Sequence, residues 1–351
     1  MLFWSKQEYQ FNTEAIRTPL FQTFSMESNI MNGEHDDKKQ DKLKDLIRKA
    51  KAISRDAAIA GLIYVSVFMP LNKNLNGKQI PMPIRSNAPI FLSIHKNSAT
   101  HVITETSLNW CGYAVETNFN DPKSEIAHVH GDFKVIKAQP SLLPRFSSEW
   151  IGIGGIGDKS LIQIGISANS SFAGSGYFAW YELLPKYEQY IPMKIYPKDH
   201  IIANIKLVDK KTNTWEMNMS DLTEGECFSK TVTYKSAMLS AEWILEKPEI
   251  TFHLFGITAP MITPLEYFND ASFGNFPLLN SNYAVINGKW RSINEANYVK
   301  IDMVTESGKI IASPSKLSED GTFFEVKRNK IDDKPIIIIE NSDKTHKPAT
   351  Q

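Results

Sequence analysis

Ser240-Ala241-Glu242-Trp243-Ile244-Leu245-Glu246 sets a carboxylate in the middle of an apolar strand. Period-two alternation puts Ala241, Trp243 and Leu245 on one face and Glu242 on the other. Leu161-Ile162-Gln163-Ile164-Gly165-Ile166 does the same with an amide: Ile162, Ile164 and Ile166 make the packed face and Gln163 points away. A Glu and a Gln on the open faces of two otherwise buried strands could supply a general base and an oxyanion donor. That is the minimal set for hydrolysing an amide with water. The Glu would deprotonate the water and later hand the proton to the leaving amine. The Gln amide donates a hydrogen bond and carries no charge at any working pH. A carboxylate with a pKa of about 4 that must act as both base and acid works best in acid.

Phe178, Trp180 and Glu182 share one strand face by alternation. Trp180 could wall a substrate subsite, and Glu182 could orient Gln163 or the water. His128-Val129-His130 sets two His on one face, but no third ligand lies near in sequence, so no metal is expected. Zinc-type spacings, a P-loop, a dinucleotide fingerprint and a G-x-S-x-G elbow are all missing from the sequence, and no organic cofactor is expected. Lys+Arg and Asp+Glu both number 39, which leaves no global field to favour nucleic acid or an anionic membrane. The two cysteines, Cys111 and Cys227, allow one disulfide but not a disulfide-built scaffold. Asn169-Ser170-Ser171 and Asn218-Met219-Ser220 match glycosylation sequons.

The elements that must hold these residues change character along the chain. Asp41 to Arg55 reads as a basic amphipathic helix, and Ala57 to Met69 as an uncharged apolar run. That run is short against the ~20 residues of a membrane span, so a prosegment core is preferred to an anchor or export signal there. Pro70, Pro81, Pro83 and Pro89 suit an extended linker. From about residue 105 short strands follow one another between Gly, Asn, Asp and Pro, as in Gly131–Ile136, Ile201–Val208, Phe228–Tyr234, Ile250–Leu254, Tyr298–Val304 and Phe323–Lys327. Many short strands without helical periods between them predict an antiparallel β-sandwich. After Arg328 the chain reads as a loose tail, with Ile336–Ile339 as one more candidate edge strand.

The same residues carry a family resemblance. Asn109-Trp110-Cys111-Gly112-Tyr113, Trp150-Ile151-Gly152-Ile153-Gly154-Gly155 with Leu161-Ile162-Gln163, and Tyr177-Phe178-Ala179-Trp180-Tyr181-Glu182 with Pro185 are similar to blocks of the glutamic peptidases (eqolisins). So are Ala241-Glu242-Trp243-Ile244 with Glu246 and the closing Leu317-Ser318…Asp320-Gly321-Thr322…Phe324, all in the family's order. Gly154, Ser167 and Phe178 stand where fungal members tend to be acidic, and the chain looks closer to the bacterial branch.

The resemblance implies two antiparallel sheets packed face to face, one concave and bearing the site, with Gln163 and Glu242 as the catalytic pair. It adds Trp110 and Trp150, beside Trp180 and Glu182, as substrate-binding residues. The expected whole is an all-β, lectin-like sandwich behind a partly helical N-terminal prosegment. Residues 1–104 would be the leader and linker, 105–328 the peptidase domain and 329–351 the tail. The expected activity is that of an acid endopeptidase made as a zymogen. It would be a monomer, acting on polypeptides in a secreted or cell-envelope setting. The rival expectation is a non-catalytic lectin-like sandwich that binds carbohydrate or peptide.

Overall fold

The computed structural model describes residues 84–85, 89–95 and 102–338, except 142–143, 172–173, 255–256 and 275–281. The basic helix expected over 41–55, the apolar run at 57–69 and the tail beyond 338 lie outside the described residues. Within them the fold is all-β, with a single 3-10 turn at Ile293–Glu295.

The strands form where side chains alternate between a packed and an open face. Thr214–Asp221 is the plain case: Trp215, Met217, Met219 and Asp221 are buried and the residues between them half-buried. Ser240–Glu246 and Arg145–Gly154 are buried at every position, as suits strands covered on both faces. The ladder runs Gln189–Ile191, Gly174–Leu183, Leu161–Ser171, Arg145–Gly154, Ser240–Glu246, Trp110–Glu116 and Asn297–Val304, each antiparallel to the next. It then turns over through Ile310–Pro314, Phe324–Arg328 and Ala271–Phe273. A second layer of Ile126–Lys134, His200–Asp209, Thr214–Asp221 and Glu226–Thr233 completes the curl. Between the layers lies the larger core, including Ile151, Ile164, Trp243, Phe133 and Met217, all fully buried. Cys111 sits in this core and Cys227 is exposed; both are free thiols. Burial pushes the Cys111 thiol up, away from reactivity.

Two regions differ from their sequence reading. The Pro-bearing stretch is not all linker: Phe91–His95 pairs with Val102–Ser107, which pairs in parallel with Asn297–Val304. Strand pairing therefore begins upstream of residue 105. The chain after Arg328 is also held. Ile336–Ile337 pairs with Met261–Ile262, within the edge strand expected there, but buried Asp333 accepts hydrogen bonds from Lys247 Nζ at 2.8 Å and from the Leu265 amide at 2.6 Å, which a loose tail would not do. Lys247 is itself fully buried, so removing its partner strands an ammonium in the interior.

We expect Asp333→Ala to lower unfolding stability by about 3–5 kcal/mol in urea titration. A loss below about 1 kcal/mol, the level of an exposed pair, would contradict this anchoring.

Candidate active site

Register sets the site. Glu242 pairs with Ala114 on one side and Gly152 on the other; Gly152 pairs with Gln163, and Gln163 with Glu182. Ala114, Glu242, Gly152, Gln163 and Glu182 thus form one row across neighbouring strands, on the face turned away from the inter-layer core. Strands lie about 4.8 Å apart, so Gln163 and Glu242 are separated by about 10 Å of backbone with a glycine between them. A Cβ on Gly152 would lie 2.8 Å from Trp150 Cζ3 and 2.9 Å from Leu161 Cδ1. The Trp150 indole folds over this position and floors the gap between the two side chains.

The row above carries Ile244, Trp150, Gly165 and Trp180. A Cβ on Gly165 would come within 2.4 Å of Trp150 Cβ, so only glycine lets Trp150 lie so close. Trp110, Trp150 and Trp180 are fully buried and join one cluster on the site face, with Trp110 and Trp150 edge to face at 4.8 Å. Trp150 lies in mid-strand, and its Nε1–H donates to Glu246 at 2.7 Å.

Gln163, Glu182 and Glu242 have no exposed surface. Gln163 Nε2 donates to Glu182 Oε2 at 2.7 Å, an orientation the acceptor-only carboxylate dictates. Gln163 Oε1 and Trp180 Nε1 lack hydrogen-bond partners among the described residues, while the Glu242 carboxyl has the Ser240 hydroxyl beside it. Each such buried polar atom costs about 1–3 kcal/mol. Burial raises the Glu242 pKa well above its ordinary value. The Ser240 hydroxyl, two residues along the same face, opposes the shift, and the charges of Asp158 and Glu116 add to it. Sequence reasoning missed Asp158 and Glu116 as neighbours of Glu242. Glu116 could have been found by alternation, since it shares a strand face with Ala114. His128 and His130 lie elsewhere, on the outer face of the second layer, where the His128 ring contacts Trp290 at 4.6 Å.

Residues 108–323 match the profile of the Peptidase A4 family. The chain belongs to that family. It is a glutamic endopeptidase rather than a lectin-like binding module. No curated protein matches the chain. Among solved structures it is similar to scytalido-glutamic peptidase with a transition state analog inhibitor: 17% identity, 63% of this chain, 98% of that chain and TM-score 0.51. It is likewise similar to scytalido-glutamic peptidase with a peptide based transition state analog: 19% identity, the same coverage and TM-score 0.50. These likenesses are of fold.

The peptidase also buries carboxyls outside the row. Burial pushes Glu149 up to about 8 against the Ile136 amide, which bonds it at 2.9 Å. Burial likewise lifts Glu266 to about 8, opposed by the Ser170 hydroxyl at 2.7 Å and the Arg145 charge. Both folded-state values lie above the unfolded value of about 4.3. The folded form therefore holds its protons more tightly, and the stability it gains is complete below about pH 4. That stability is lost as pH rises through about 8.

We expect the melting temperature to fall steadily between about pH 4 and pH 8, and Glu149→Gln to flatten that slope. A melting temperature constant across this window would contradict the reading.

Proposed function

We propose that this peptidase cleaves polypeptides by a Glu242-activated water with Gln163 as oxyanion donor. The observation that carries the reading is the shared row: Glu242 and Gln163 flank a glycine on one face, both fully buried, with Gln163 Oε1 left unpartnered. Ionised Glu242 takes a proton from water as the water oxygen bonds to the scissile carbonyl carbon. The Gln163 amide has two N–H groups. One is engaged by Glu182, and the other donates to the developing oxyanion. Collapse breaks the C–N bond, and Glu242 returns its proton to the leaving nitrogen. Glu182 acts by holding the Gln163 amide in one orientation. Trp180, with its unpartnered Nε1, and the Trp110–Trp150 pair wall the cleft. That a related fold is known with a peptide based transition state analog supports polypeptides as the substrate class.

The burial of Glu242 in the intact chain supports a latent precursor. Burial disfavours the ionised form that a base needs, and opening the cleft to solvent would remove the main cause of the raised pKa. The leader would end before Phe91, because the strands from Phe91 to Ser107 belong to the sheet. Acid working conditions suit a secreted or cell-envelope setting.

After acid activation, Glu242→Gln and Gln163→Ala should each cut kcat by at least about 10²–10³, with the far-UV circular dichroism of the folded protein retained. Wild-type activity should disappear toward neutral pH. Either variant retaining more than about a tenth of wild-type kcat would refute its assigned role.

A further inference from the structure

The hairpin that joins Arg145–Gly154 to Leu161–Ser171 folds over the site face. Its last strand pair is Gly154 with Leu161, two positions beyond the Gly152–Gln163 pair. Residues 155–160 then turn toward Glu242. The Ile156 amide donates to the Ser240 hydroxyl at 3.4 Å, and Ser240 shares the Glu242 face. The Ala237 amide donates to the Ser160 hydroxyl at 2.8 Å. Ile156 packs into the cluster that holds Trp110, Trp150 and Trp180. A Cβ on Gly155, at φ +95°, would come within 3.0 Å of Trp110 Cη2, so glycine lets the loop settle on that indole. The loop covers the Glu242 end of the row.

Asp158 is the carboxyl this loop carries, and it is half-buried. Its Oδ1 accepts from the Ser160 amide, which fixes the group. Its Oδ2 is shut from solvent and has no hydrogen-bond partner among the described residues. Two neighbours report where it sits. At Glu242, burial is the main cause of the raised pKa, and Asp158 is first among the charges that add to it, ahead of Glu116 from the adjoining strand. At Tyr234, burial again raises the pKa, the Leu161 amide at 2.8 Å opposes, and the charges of Asp158 and Glu182 both add. Asp158 is thus felt on both sides of the Gly152 gap. A sealed carboxylate oxygen needs a donor, and Glu242 and Glu182 are carboxyls themselves. A water molecule has one hydrogen for each of two carboxyls.

We infer that Asp158 is a further catalytic residue, whose Oδ2 accepts one hydrogen of the attacking water while Glu242 takes the other. The inference rests on the proposed Glu242–Gln163 site. The O–H bond facing Glu242 breaks, its proton goes to Glu242, and its electron pair forms the bond to the scissile carbonyl carbon. The O–H bond facing Asp158 stays intact, and Asp158 gains no proton. Two contacts fix the water, where one would leave it free to turn. The negative charge of Asp158 also makes Glu242 the stronger base.

The test compares Asp158→Asn with wild type in the acid-activated full-length protein. Asn keeps the size and one acceptor but presents N–H donors where Oδ2 accepted. Infrared difference spectra follow the Glu242 carboxyl through a pH titration, its band assigned by its loss in Glu242→Gln. We expect Asp158→Asn to lower the Glu242 midpoint by about one pH unit and to carry the acid limb of kcat/KM down with it. The kcat should fall about ten- to hundredfold while KM stays within about threefold. Asp158→Ala, which also gives up the Ser160 contact, should show the same midpoint shift. A role in folding alone would lower the melting temperature and leave midpoint and acid limb in place. The titration needs no turnover: if Glu242→Gln kept wild-type kcat, the proposed mechanism would fail while the midpoint still decided whether Asp158 faces Glu242. A midpoint unmoved in both variants, or full kcat in Asp158→Asn, overturns the inference.

Discussion

The site depends on the register of one strand. Ser240–Glu246 is inserted between Trp110–Glu116 and Arg145–Gly154, and each residue from Ala241 to Glu246 has a fixed neighbour on both sides. A slip of one position would send Glu242 into the inter-layer core and Trp243 onto the site face. Trp243 makes that slip costly. Its indole is fully buried between the layers, and its Nε1–H donates to the His130 carbonyl in the opposite layer at 2.9 Å. Burying a Trp and satisfying its one donor together pin the strand. The face that carries no chemistry thus aims the face that does.

The same double burial explains the site's electrostatics. A strand covered on both sides holds its acid out of water, so Glu242 and Glu149 have raised pKa values with burial as the main cause, and Glu266, buried outside any strand, is raised for the same reason. Ion pairing would have pulled these values down instead. The fold is therefore tuned toward acid by the depth at which it places carboxyls. On the proposed mechanism, the pH at which Glu242 would serve as base depends on how far its burial is relieved.

Alternation alone made the faces legible: Glu242 and Gln163 point where the pattern of Ala241, Trp243, Ile162 and Ile164 requires. Which strands become neighbours was hidden, because the Ser240–Glu246 pairings close very long loops and no local pattern encodes them. For that reason the contribution of Gly152 between the two side chains, and of Asp158 and Glu116 beside Glu242, emerged only in three dimensions. The stretch before residue 105 misled through composition. Its prolines suit a linker, yet Val102–Ser107 is held by a parallel partner nearly two hundred positions away. After Arg328 the polar character of Asp333 concealed a buried anchor for Lys247.

The central claim is that Glu242 and Gln163 act as one unit across Gly152. A double-mutant cycle on kcat/KM tests it most directly, with Glu242→Gln, Gln163→Ala and the pair combined in the acid-activated protein. Residues that act together are strongly non-additive. The account predicts that the double variant is no slower than the slower single one, within about threefold. Losses that multiply would contradict it, because the two side chains would then contribute independently.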